Sequence, residues 1–279
     1  MIFEKIQAFD RKKNSDQANC NITTWKHFGR EVRSKGCNLL KDLDKFPNSV
    51  LVTGCQRSGT TMVARIITQS DGMVNYWFGR DDELDAALIL SGHVEHTPRG
   101  RYCFQTTYVN ECYQEYFEHH NGHKIIWILR NPFSVVYSLL HWKRFAFNEL
   151  FRGCGSPLLK GKKGKEIQYY NLFGKWGISR LHRACLSYNG KVSQAFELVE
   201  KINKKNIIVL DYDELIINKK TILPKVYSFI DLDYKDAYAE NIHSHSMNKS
   251  SCMSNRETAF VESICLPTYL QARKLLSPM

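Results

Sequence analysis

The run PNSVLVTGCQRSGTTMVARIITQS, residues 47–70, holds a strand, a turn and a helix in immediate succession. Val50-Leu51-Val52 is a short apolar core bounded by Pro47 and Gly54, and such continuous runs mark strands buried on both faces of a parallel sheet. From Thr60 to Ser70, Met62, Val63, Ile66 and Ile67 recur at helical spacing. Between strand and helix, Gly54 and Gly59 keep the G-x-x-x-x-G spacing of a phosphate-binding loop. The loop amides and the helix N-terminus would face an anion together, and Thr60 and Thr61 add hydroxyl donors. A nucleoside triphosphatase would carry Lys after the second glycine, close to the β- and γ-phosphates. Here Thr60 takes that place and the cation comes earlier, as Arg57. That arrangement suits a less charged transferring group and no obligatory metal. A Gly-rich turn without function is the bland alternative.

The strand-then-helix order recurs outward from this run. Arg101 to Thr106 reads as a strand and Val109 to His120 as a helix. KIIWIL (124–129) is the most strand-like run in the chain, and Asn131-Pro132 then opens a helix through Val135, Val136, Leu139 and Leu140. NIIVL (206–210) is a further buried strand after a long helix near 178–203. Alternating strands and helices predict an α/β fold in three layers, with helices on both faces of a central parallel sheet. The 279 residues fit one domain, with residues 1–46 as an N-terminal helical extension (a helix near 24–43) and a C-terminal helix from about 256 to 275. Residues 150–175 hold Gly153, Gly155, Gly161, Gly164 and Gly174, with Lys160, Lys162, Lys163 and Lys165 clustered. They are expected to form a mobile loop, either a lid or a solvated insertion. Residues 241–256 form a second polar loop.

Lys and Arg number 39 against 28 Asp and Glu, a net charge of +11, which favours an anionic partner. Nucleic acid, anionic lipid and a polyphosphorylated cofactor all fit, as does plain solubility. The 9 cysteines are scattered without a CxxC pair; they are expected to be reduced core thiols in a cytoplasmic protein, with no disulfide frame or zinc site. No run of about 18 apolar residues predicts a membrane helix, and MIFEKIQAFDRKKN lacks the apolar region of a secretory signal.

A second segment, IWILRNPFSVVYSLLHWKR (126–144), places Arg130 at the carboxyl end of a buried strand and Ser138 eight residues later. Ligands of open α/β sheets bind at such strand ends, and two helical turns bring Ser138 back toward the same anion. With Arg57-Ser58-Gly59-Thr60-Thr61 matching the form [KR]-S-G-T-T, the sequence resembles the sulfotransferases that use 3′-phosphoadenosine 5′-phosphosulfate (PAPS). The resemblance implies that Arg57, Ser58, Gly59, Thr60 and Thr61 hold the 5′-phosphosulfate and that Arg130 and Ser138 hold the 3′-phosphate. VLDYDELI (209–216), Pro224 and YSFIDLDY (227–234) resemble the scaffold that follows, so the likeness runs from about Pro47 to about Tyr234. Lys249 and Ser250 match a late cofactor-binding loop by position alone. The resemblance implies a PAPS-dependent enzyme releasing 3′-phosphoadenosine 5′-phosphate (PAP), without a required metal. Its expected partner is a small-molecule acceptor, with no nucleic acid and no membrane; a homodimer is left open. The chain also looks like microbial sulfotransferases that tailor natural products, among them those acting on guanidinium alkaloids of the saxitoxin type.

Sulfuryl transfer needs an in-line acceptor, a base and charge stabilisation at the leaving phosphate. Arg57 is the expected stabiliser. Many cytosolic relatives carry a His base after Lys-Thr; here that place reads Gln105-Thr106-Thr107. RDDELD (80–85) offers a carboxylate instead, with Glu83 and Asp82 as first candidates; a capped, solvated helix start is the rival reading of that segment. His93, Glu95 and His96 are the other option. An acidic cluster beside the acceptor would favour a cationic small molecule. Tyr76, Trp77, Phe78, Trp142, Phe145 and Phe147 are candidates for an aromatic pocket. Three rival readings stand beside the sulfotransferase: a P-loop phosphotransferase, a basic nucleic-acid-binding module and a non-catalytic nucleotide-binding relative.

Overall fold

The computed structural model describes residues 20–119, 122–160, 165–242 and 251–277. Four strands, β1 (Val50–Gly54), β2 (Cys103–Gln105), β3 (Lys124–Leu129) and β4 (Ile207–Asp211), form one sheet in the order β2-β1-β3-β4, with every pairing parallel. β1 and β3 sit in the middle, and their burial on both faces explains their unbroken apolar runs.

Alternate residues serve opposite faces. Leu51, Phe104, Trp127 and Val209 point into one core, packed under α1 (Trp25–Glu31), α3 (Asp82–Leu90), α4 (Pro132–Leu140), α7 (Arg180–Lys201) and α10 (Asn255–Arg273). Val50, Val52, Ile126, Ile128 and Leu210 point into the other, under α2 (Thr60–Thr68), α8 (Tyr212–Ile217) and α9 (Lys219–Phe229). The three-layer α/β arrangement is therefore the one the sequence predicts. At the β4 edge, Ser277 exchanges hydrogen bonds with Val209, its Oγ accepting from the Val209 amide at 3.2 Å.

Several expectations need correction. The helix near 24–43 is confined to α1; Gly36 and Asn38 both take positive φ and end regular winding. The stretch expected as a helix from Val109 to His120 forms, over its described residues 109–119, turns and a 3-10 segment, Tyr113–Phe117. The stretch 150–175, expected as a mobile loop, is largely helical where described: α5 (Arg144–Leu150), a π-turn over Phe151–Gly155, a 3-10 turn over Ser156–Leu159 and α6 (Lys165–Phe173). Gly153 and Gly155 serve close packing. A Cβ on Gly155 would meet the Ser187 amide at 2.9 Å, and one on Gly190 would collide with the Cys154 carbonyl, so α7 seats directly on the π-turn. Lys162 and Lys163 lie outside the described residues.

The cysteines also depart from expectation. Cys37 and Cys112 form a disulfide across 75 residues of sequence, with Cα atoms 5.4 Å apart. It ties the segment after α1 to the turn after β2. The amides of Asn38 and Leu40 reinforce the tie by donating to the Glu115 carboxylate at 2.8 and 2.6 Å. The spacing gave no hint because the partners meet only through the tertiary fold. Five of the other cysteines, Cys55, Cys103, Cys154, Cys185 and Cys265, are buried free thiols. No helix among the described residues is long and apolar enough to cross a membrane.

Candidate active site

Two cavities meet at the carboxyl end of the sheet. The first is a polar cleft of about 610 Å³ lined by Arg57, Gly59, Thr60, Thr61, Arg130, Ser138 and Tyr212, with Gln56, Glu83, Gln105, Thr107 and Trp142. The second, of about 470 Å³, is aromatic: Trp25, Phe28, Tyr108, Trp142 and Phe145 surround Arg33, Glu149 and Asn110. Gln56, Glu83 and Trp142 belong to both walls.

The polar cleft is built on the turn from β1 to α2. Gly59, the N-cap of α2, has φ +99°, and a Cβ there would run into the Tyr212 ring, so only glycine lets the loop pass so close. Arg57 also takes a positive φ, +73°, a conformation that costs a non-glycine residue about 1 kcal/mol or more and that recurs at ligand clamps. It aims the guanidinium across the cleft, where Nε donates to Ser138 Oγ at 3.0 Å. Ser58 turns inward, its hydroxyl donating to the Cys55 carbonyl, and braces the loop without lining the cleft.

Arg130 leaves the end of β3 with its side chain buried. Its Nε donates to Asp213 Oδ1 at 3.3 Å, its Nη1 to the Arg57 carbonyl at 3.4 Å, and its guanidinium lies 4.6 Å from the Tyr212 ring centroid. Asp213 also accepts from the Asn131 amide at 3.2 Å, while the Asn131 side chain caps α4. Asp213 therefore orients both the arginine and the helix that carries Ser138, a role that reading 209–216 as scaffold overlooked. Burial, and then the nearby Arg130 charge, hold the Arg57 guanidinium below its ordinary value. Two guanidinium groups facing one cleft, beside the amides that open α2, favour a polyanion.

Glu83 stands where the cavities join. It follows Asp81, whose carboxylate caps α3 by accepting from the Glu83 and Leu84 amides at 3.1 and 3.3 Å. Thr107 Oγ1 donates to one Glu83 oxygen, and Gln105 Nε2 donates to the other at 3.3 Å while reaching Thr60 Oγ1 at 3.3 Å. Gln105 and Thr107 thus hold the carboxylate candidate. Burial pushes the Glu83 carboxyl up to about 8, against the Thr107 hydrogen bond. A helix N-terminus is worth up to about 1 kcal/mol to a carboxylate, less than one pKa unit, so burial prevails.

The rest of RDDELD points elsewhere. Asp82 pairs with Arg65, and Asp85 Oδ2 accepts from the Phe78 amide at 2.9 Å. Asp82 lines neither cavity, because α3 turns it about 100° away from Glu83. The expected acidic cluster beside the acceptor reduces to Glu83. His93 Nδ1 lies 3.1 Å from Ser91 Oγ and His96 Nε2 lies 3.2 Å from Tyr102 Oη, also away from the site. Lys249 and Ser250 fall outside the described residues. Of the aromatic candidates, Trp142 and Phe145 line the second cavity, while Tyr76, Trp77, Phe78 and Phe147 are core. Trp25, Phe28, Tyr108 and Glu149 were missed, since they come from separate segments with no motif to join them.

The floor of the aromatic cavity is charged. Arg33 Nε donates to Glu111 Oε1 at 3.2 Å and Arg33 Nη1 lies 3.9 Å from Glu149, while Arg152 reaches Glu111 at 2.7 Å and Glu149 at 3.1 Å. Burial alone would raise the Glu111 carboxyl, but the Arg33 pair overrides it and holds it at about 2.

Residues 47–264 match the family model described as the sulfotransferase domain. The match spans most of the chain, and the protein belongs to the sulfotransferase family, with the α/β P-loop-type fold that its parallel sheet displays. Among solved structures, the chain is similar to a mouse sulfotransferase complexed with PAP, at a TM-score of 0.50 and 17% identity over 86% of this chain and 93% of that one. It is also similar to a sulfotransferase from Alicyclobacillus acidocaldarius (TM-score 0.49, 13% identity, 82% of this chain and 95% of that one). The sulfotransferase domain from the curacin biosynthetic pathway gives a TM-score of 0.48 at 11% identity, over 84% and 93%. No curated protein matches the sequence.

Proposed function

We propose that the polar cleft binds PAPS and that the chain transfers its sulfuryl group to a hydroxyl or amine of a small molecule seated in the aromatic cavity. The observation that carries this reading is the position of Glu83 on the wall common to both cavities. PAPS, when bound, supplies an activated sulfuryl group on its 5′-phosphate. The residues fit it: Arg57 and Arg130 pair with the two anionic ends, Ser138 and Thr61 donate hydroxyl protons, and the amides opening α2 face the phosphate that leaves. No group in this set requires a metal. In transfer from bound PAPS, Glu83 would take the proton from the acceptor as the new S–O or S–N bond forms and the bond from sulfur to the 5′-phosphate oxygen breaks, and Arg57 with Thr60 would stabilise the charge left on that oxygen. A carboxyl raised to about 8 is a stronger base than an ordinary glutamate once ionised, so turnover rises as the pH passes that value. Trp142 partitions the cavities and keeps water from the transfer point.

The aromatic cavity favours a cationic acceptor, of the kind found among natural products. Trp25, Trp142 and Phe145 offer ring faces, from which a cation gains about 0.5–2 kcal/mol, and the Glu149 carboxylate lines the same wall while also pairing with Arg152. PAP release from PAPS should be followed with a panel of amines, guanidines and neutral phenols. Glu83→Gln should lower turnover by about 10²- to 10⁴-fold with PAP affinity preserved. Full turnover in Glu83→Gln would remove Glu83 as the base, and preference for neutral phenols would remove the cationic acceptor.

A further inference from the structure

One face of α7 is polar although it is buried. Tyr188, Lys191 and Gln194, three residues apart, are 0%, 0% and 6% exposed. Each reaches a main-chain carbonyl beyond the carboxyl end of a strand, in the segment that follows β3 or β2. Tyr188 Oη donates to Arg130 O at 2.8 Å, Lys191 Nζ to Val109 O at 3.0 Å and Gln194 Nε2 to Asn110 O at 2.7 Å. Gln56 closes the same turn from the other side, donating to Thr107 O at 2.8 Å. The turn pinned in this way runs from Thr107, which holds Glu83, to Asn110, which lines the aromatic cavity.

Lys191 is the residue that calls for an explanation. Its ammonium lies 5.8 Å from the Trp127 ring centroid beneath the sheet ends, and among the described residues no carboxylate lies within ion-pair distance. Burial lowers its proton affinity. A buried charge without a carboxylate is costly, and an apolar side chain of equal length is often neutral or stabilising in such a place. Its three donors, however, can hold a carbonyl that would otherwise be buried without a partner.

We propose that Lys191, flanked by Tyr188 and Gln194, is a positioning residue of the transfer site: its ammonium clamps the Val109 carbonyl, fixes the Thr107–Asn110 turn and so keeps Glu83 aligned between the two cavities. The clamp itself follows from the contacts; its effect on turnover rests on the sulfotransferase reading. Lys191→Met keeps the length and removes the donor. The thermal midpoint changes little, since losing the desolvated charge offsets leaving the Val109 carbonyl without its donor, while the amides of Thr107–Asn110 exchange with solvent about tenfold faster. Turnover of PAPS, with the best acceptor of the panel, falls about 10²-fold at an unchanged KM for PAPS and unchanged PAP affinity. A purely structural lysine would do the reverse, lowering the midpoint and leaving kcat alone. If Lys191→Met does not fold, Gln194→Met, which breaks the adjoining clamp at Asn110 without touching a charge, must show the same faster exchange and lower kcat. A folded variant with unaltered exchange at the turn overturns the proposal, whatever its turnover. Wild-type protein that releases no PAP would instead defeat the sulfotransferase reading, and the exchange result would still decide the clamp.

Discussion

The polar cleft draws most of its groups from the ends of the four adjacent parallel strands, with Ser138 added by α4, Trp142 by the turn after it and Glu83 by α3. The aromatic cavity draws its walls from α1, the turn after β2, and the segment from Trp142 through α5, which only the tertiary fold brings together. The first is framed by the main chain: Gly59, the amides opening α2, and the starts of α4 and α8, capped by the Asn131 and Asp211 side chains, set its backbone geometry. The second is a side-chain site, closed by Arg33–Glu111 and by the Cys37–Cys112 link. A site written in backbone leaves a short motif in the sequence. A site written in side chains leaves scattered residues. Substitutions should therefore separate the two.

The largest separation is expected from Arg130→Ala. It deletes a charge-assisted contact to the anion and leaves the half-buried Asp213 with only the Asn131 amide, so PAP affinity should fall by about 100-fold or more, as read by calorimetric titration. Comparable affinity in this variant would break the assignment of the polar cleft. A smaller, opposite effect is expected from Trp142→Ala and Glu149→Gln. The acceptor KM should rise about tenfold in each while PAP affinity moves little for Glu149→Gln and modestly for Trp142→Ala, which touches both cavities. Equal losses on both sides for Glu149→Gln would mean that the cavities act as one.

The smallest effect is a pH dependence of stability at the shared wall. The unfolded chain releases the Glu83 proton near 4.5, while the folded site holds it to about 8. The stability this provides is complete below the lower value and is lost as the pH rises through the upper one. Glu83→Gln, which has no proton to lose, should melt a few degrees above wild type at about pH 9 and differ little at about pH 5. Thermal melts at the two values check it, and a variant less stable at both would contradict the buried acid.

Legibility followed the same division. β1, the loop and α2 could be read directly, because period, glycine spacing and helix start agree within 47–70. Arg130 and Ser138 could be read because one strand end and two helical turns relate them. Glu83 was named but not distinguished from Asp82: neighbours on a helix point about 100° apart, and only the packing of α3 tells which faces the cleft. Gly153 and Gly155 misled, since glycine marks close packing as readily as a loop. Asp213, Lys191 and Glu149 act through contacts across the fold that no local pattern records.

The most direct test is the chemistry of the anion that the polar cleft accepts. Wild-type protein should be melted with PAP, with ADP and with ATP and magnesium in one buffer. A ligand at about 100 times its dissociation constant adds about 2.7 kcal/mol, a shift of several degrees. The account predicts a large shift with PAP and little with ATP and magnesium. A shift with ATP and magnesium but none with PAP would contradict it and put phosphoryl transfer in its place.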